Sequence, residues 1–140
     1  MLQYSGPIAL LVQGDAPLNR LLQAKNSQPE SVLVGTDSIW EGIDIPGDAL
    51  TLLVVTRFPF ANPTHPLTRA RLRAIQERGG DPFLEHTLPE AVLKFRQGFG
   101  RLVRSHRDHG KVVILDPRAR TRLYGRQFLA ALPVEPETPF

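Results

Sequence analysis

The residues best suited to phosphate chemistry gather in two short stretches. In QGFGRLVRS, residues 97–105, Gln97, Arg101 and Arg104 follow one another at spacings of four and three. On an α-helix that spacing puts one amide and two guanidiniums on a single arc, together with Lys94. A guanidinium is a planar, permanently charged fork of donors that can grip phosphate oxygens in pairs. Gly98 and Gly100 flank this arc, and each costs a helix about 1 kcal/mol relative to Ala. Glycine is best tolerated there if a ligand or another backbone must come close. A solvated basic face with incidental glycines is the alternative that these residues alone leave open.

The second stretch is GTDSIWEGIDIPGDAL, residues 35–50, directly after the apolar run SVLVG. It packs Thr36, Asp37, Ser38, Glu41 and Asp44 into the end of an expected strand, which is where open α/β sheets place their ligands. Gly42 and Gly47 permit tight turns, and Pro46 stiffens the exit. The carboxylates can act as general acids or bases, or can hold a loop or an arginine in place. Trp40, the single tryptophan, suits stacking on a nucleic-acid base and equally suits a partly buried core position.

The elements that must position these residues alternate between strand and helix. Apolar runs at Ile8–Val12, Ser31–Gly35, Leu50–Thr56 and Val112–Leu115 predict four strands, the last with the pattern of a strand buried on both faces. Helices are predicted over Pro17–Lys25, Leu67–Glu77, Leu88–Ser105 and Thr121–Leu132, with a helical turn at Ser38–Glu41. Gly79-Gly80-Asp81-Pro82 stops the second helix, and Pro133 stops the last. The order predicts an α/β fold, a mostly parallel sheet with helices on both faces.

Composition narrows the class. The chain has 140 residues, 41% of them hydrophobic, which is enough for a single core. No apolar run is long enough to span a membrane, and no secretory leader pattern opens the chain. The absence of cysteine fits a reducing, cytoplasmic setting and excludes a cysteine-held metal or iron–sulfur cluster within this chain. The net charge is +3, which permits nucleic-acid binding without requiring it. Lys25, Lys94 and Lys111 are the lysines; the other basic side chains besides histidine are arginines. His106 and His109 form H-x-x-H, but a metal site needs more ligands, so this reads as a solvated turn. Arg69, Arg71 and Arg73 alternate along a helix and read as surface.

Taken together, the S-x-W-E-G-x-D-x-P-G pattern, then Q-x-x-G-R-x-x-R, then a strand ending in Asp116-Pro117-Arg118, resemble the DinG-like, XPD-type superfamily 2 DNA helicases. GTDSIWEGIDIPG resembles helicase motif V and QGFGRLVRS motif VI. LLVQGDAP, RFPF and ERGGDPF extend the likeness over nearly the whole chain. The resemblance implies a RecA-like second lobe, working across a cleft from a first lobe, with ATP and Mg²⁺ between them. It implies Arg104 as the arginine finger, Arg101 as its partner at the phosphates, and Gln97 as an orienting group. Gly42, Asp44, Glu41 and Gly100 would belong to nucleotide binding and coupling. Thr36, Ser38 and Trp40 would face single-stranded DNA.

The likeness has limits. The chain has no G-x-x-x-x-G-K-[ST] and no Asp-Glu pair, the motifs that hold ATP phosphates, Mg²⁺ and the attacking water. The expectation is therefore a lobe over residues 1–132 that lacks its opening strand, followed by a disordered tail at 133–140. On its own it should not hydrolyse ATP; ATP and Mg²⁺ should be held mainly by the missing first lobe. The competing readings are a stand-alone single-stranded nucleic-acid-binding module and a non-functional remnant.

Overall fold

The computed structural model describes residues 7–43, 45, 49–102 and 110–133. In chain order these form β1 (Leu10–Val12), α1 (Leu18–Ser27), β2 (Val32–Val34), a 3-10 turn (Asp37–Glu41), β3 (Leu52–Val55), α2 (Pro66–Glu77), a π turn (Phe83–Thr87), α3 (Leu88–Leu102), β4 (Lys111–Ile114), α4 (Arg118–Thr121) and α5 (Gly125–Ala130). The fold is α/β with parallel strands. β1 pairs with β2 in the register Leu10↔Val32, Leu11↔Leu33, Val12↔Val34. β3 pairs with β4. There the N–H of Lys111 meets Thr51 O and that of Leu115 meets Val55 O, an ascending order that makes this pair parallel too. Among the described residues the strands form two pairs rather than one continuous ladder.

The chain divides into two compact units, Met1–Leu53 with Gly100–Val112, and Val54–Phe99 with Val113–Phe140. In the first, α1 packs on β1 and β2. Ile39, Ile43, Ile45 and Ala49 form its buried cluster, with Leu18, Leu22 and Leu33 against it. These isoleucines come from the glycine-rich stretch itself, so the stretch that carries the polar side chains also builds the core beneath them. Lys25 is buried, donates to Pro29 O at 2.7 Å, and has its pKa lowered by desolvation.

In the second unit, α3 buries Leu88, Ala91, Phe95 and Phe99 along one stripe, the i, i+3/i+4 pattern of an amphipathic helix. Phe58 stacks on Phe128 at 3.8 Å between centroids, and Phe95 meets both edge-on. Arg71 and Arg73 pair with Glu90 and Glu77, as surface residues do.

Two expectations are corrected. Alternate apolar residues of the strands stay exposed, including Leu10, Val32, Val54 and, in β4, Val113, so the last strand is not buried on both faces. The helix expected over Thr121–Leu132 runs only from Gly125 to Ala130; Thr121 instead ends a separate short helix, α4, because Arg122 adopts extended backbone. Gly125 makes the return possible: a Cβ there would lie 2.3 Å from Arg118 O. The expected tail from residue 134 onward lies outside the described residues. Among the described residues no helix is long and apolar enough to cross a membrane.

Candidate functional site

The parallel register of β1 and β2 delivers their C-terminal ends to one edge. The last ladder bond runs from Gln13 N–H to Val34 O at 2.9 Å. The chain then reverses at Gly14, whose φ of +106° is one that glycine adopts without strain. At this edge Gln13, Thr36 and Ser38 join. Gln13 Oε1 accepts the Thr36 N–H at 2.8 Å and lies 3.1 Å from Thr36 Oγ1. Gln13 Nε2 donates to Ser38 Oγ at 3.0 Å, and the two hydroxyls are 2.7 Å apart. All three side chains are exposed to solvent.

Gly35 is what lets the strands meet this way. A Cβ there would lie 1.8 Å from Ile39 Cδ1 and 2.8 Å from Gln13 Oε1. Beyond it the 3-10 turn carries Trp40, half-buried, and Glu41. Gly42 closes the turn with its N–H on Ile39 O at 3.0 Å. A Cβ on Gly42 would come within 2.9 Å of Leu18 Cδ2, so α1 packs close against it.

Gln97 and Gly100 lie on the exposed side of α3, and nothing stands within 4 Å of where a Gly100 Cβ would be. Arg101 belongs to the last described turn of the helix, four residues on from Gln97. Arg104 and Asp44 lie outside the described residues, as do His106 and His109. Thus the structure joins Thr36 to Ser38 and places Gln97, Gly100 and Arg101 on one helix. Among the described residues no group of three or more His, Cys, Asp or Glu could hold a metal ion.

A family profile of the helicase C-terminal domain matches residues 2–135. The chain belongs to the helicase C-terminal domain family. This domain is 45% identical over 131 residues to the ATP-dependent DNA helicase YoaA of Escherichia coli K12, covering 94% of the chain and 21% of that protein. It is 46% identical over 128 residues to the 3′-5′ exonuclease DinG of Bacillus subtilis 168, covering 90% of the chain and 14% of that protein. It is 40% identical over 124 residues to the ATP-dependent helicase DinG of Mycobacterium tuberculosis H37Rv, covering 89% and 19%. The helicase C-terminal domain thus spans about a fifth or less of the length of these curated relatives.

Two residues of this helicase C-terminal domain escaped sequence reasoning. Gln13 read only as the end of a strand, although it leaves the sheet at the edge where Thr36 and Ser38 do. Asp116 read as part of a motif, but its carboxylate is 1% exposed and pairs with Arg118 at 2.6 Å. The Asp-Pro-Arg that follows the last apolar run was the available signal for it.

Proposed function

We propose that the chain acts as the second motor lobe of an ATP-dependent DNA helicase. In that reading it supplies an arginine finger to ATP held by a first lobe and contributes part of a single-stranded DNA groove. The observation that carries this is the exposed side of α3 in a helicase C-terminal domain. That helix buries Leu88, Ala91, Phe95 and Phe99 and leaves Gln97 and Gly100 open.

The donor set suits a triphosphate approached from one side. Arg104 reaches the γ-phosphoryl group and stabilises the charge that spreads over its oxygens as transfer proceeds. Arg101 holds neighbouring phosphate oxygens, Gln97 orients the arc, and the bare Gly100 keeps side-chain bulk out of the approach. Mg²⁺, when bound, would neutralise phosphate charge, and its holders would belong mainly to the first lobe. Glu41, Gly42 and Asp44 couple the nucleotide cleft to the edge where Thr36, Ser38 and Trp40 face DNA. No Walker-type phosphate loop is in the chain, so hydrolysis requires the partner lobe.

The test is ATP turnover with and without single-stranded DNA, after adding the cognate first lobe, for wild type and Arg104→Ala. The expected result is DNA-stimulated turnover that needs both lobes and falls by about 10³-fold or more in the variant. Turnover by the pure chain, or a variant as fast as wild type, would overturn the assignment.

A further inference from the structure

The cluster of Gln13, Thr36 and Ser38 fixes where its hydrogens point, and the result singles out Gln13. The Thr36 N–H, 2.8 Å from Gln13 Oε1, sets the orientation of the amide, because a backbone donor cannot face the NH₂ end. Oε1 only accepts, so the Thr36 hydroxyl at 3.1 Å must donate to it. Thr36 Oγ1 then has no proton left for Ser38, so across the 2.7 Å contact Ser38 is the donor. Ser38 Oγ in turn accepts from Gln13 Nε2 at 3.0 Å. The bonds close a ring that runs in one direction: Gln13 to Ser38, Ser38 to Thr36, Thr36 back to Gln13.

Both hydroxyl protons are spent inside the ring. A phosphodiester oxygen is an acceptor and needs a donor. The ring has one donor left, the second N–H of the Gln13 amide, on an exposed side chain. We propose that Gln13 is a further nucleic-acid-binding residue, whose outward amide N–H donates to a backbone phosphate of single-stranded DNA while Thr36 and Ser38 hold the amide in place. This rests on the reading of the strand edge as part of the DNA groove, and it assigns the donor within that groove. Gly35 serves the same arrangement, since any side chain there would push against Gln13 Oε1.

The experiment is a fluorescence-anisotropy titration of 5′-fluorescein oligo(dT) with the chain, over a series of salt concentrations. Gln13→Met removes the donor and the ring. Gln13→Glu keeps acceptors for Thr36 and Ser38, so it holds the strand edge, but it offers no outward N–H. Gln13→Met should weaken binding about tenfold, the size of one hydrogen bond to a charged group, and Gln13→Glu by more, because its carboxylate also repels phosphate. Because glutamine is neutral, Gln13→Met should leave the salt slope unchanged. Thr36→Val breaks the ring but keeps the backbone N–H on Oε1, and Ser38→Ala leaves the amide anchored at Thr36. Each loosens the hold on the amide and should weaken binding measurably, but by less than Gln13→Met, which removes the donor itself.

Wild-type affinity in both Gln13 variants would overturn the inference while leaving the groove reading intact. So would losses in Thr36→Val or Ser38→Ala as large as in Gln13→Met, because the hydroxyls would then be the contacts or the ring merely structural. No binding of oligo(dT) by the wild-type chain would overturn the groove reading and this inference together. Thermal unfolding of each variant checks that the compared proteins are folded.

Discussion

The carboxylate of Asp116, just beyond β4, accepts the backbone N–H of Phe58, just beyond β3, at 2.8 Å. Arg118 closes over the same carboxylate through Nε and Nη2 at 2.9 and 2.6 Å. Its guanidinium also lies 5.0 Å from the centroid of Phe60. One buried acid thus fastens the Arg-Phe-Pro-Phe turn, whose Phe58 stacks on Phe128 in the core. Two stretches that resembled a helicase motif context for no visible reason turn out to be halves of one contact.

That contact predicts how the fold responds to acid. The hydrogen bonds from Arg118, ahead of opposing desolvation, hold the Asp116 pKa down at about 2, against an ordinary 3.8. A depressed carboxylate contributes its full stability above the unfolded value, near pH 4, and loses it as pH falls through the folded value. The contribution at neutral pH is about 2 kcal/mol. Asp116→Asn should therefore lower stability in urea unfolding at pH 7, and its deficit should shrink between pH 4 and 2. A deficit that stays constant over that window would show that the charge plays no part.

Gly35→Ala should damage the strand edge. The added Cβ falls 1.8 Å from Ile39 Cδ1, and Ile39 is 4% exposed, inside the core cluster. Overfilling a packed core costs about 1–3 kcal/mol. The expected outcome is a lower midpoint in chemical denaturation, with weaker oligo(dT) binding because Gln13 Oε1 is displaced as well. An unchanged midpoint would mean that Ile39 has room to turn away.

Much of this was legible before the structure, and the gaps have physical causes. The start of α2 is marked by Pro66, and α3 shows an unbroken apolar stripe, so both were readable from local pattern. The break between α4 and α5 was not, because apolar residues run on through it, with Leu123 lying in the break itself. What ends α4 is an extended Arg122 and a backbone approach at Gly125, neither of which periodicity records. The first three strands were located but over-lengthened, since their apolar runs extend beyond the paired residues, and the fourth was displaced by one residue. Thr36 and Ser38 were singled out by type and place. Gln13 was not, because its meaning depends on a register that joins positions 23 and 25 residues apart.

Gly100→Ala separates helix stability from function. Nothing lies within 4 Å of the Cβ this change would add, and the position is inside α3, where Ala is favoured over Gly by about 1 kcal/mol. The variant should therefore unfold at a higher denaturant concentration than wild type. If Gly100 is bare because nucleotide or the first lobe must come close, the same methyl should slow ATP turnover by the assembled lobes. Both are read from one preparation, by denaturation and by steady-state ATPase. Greater stability with slower turnover is the expected pair; greater stability with unchanged turnover would remove Gly100 from the nucleotide side of the domain.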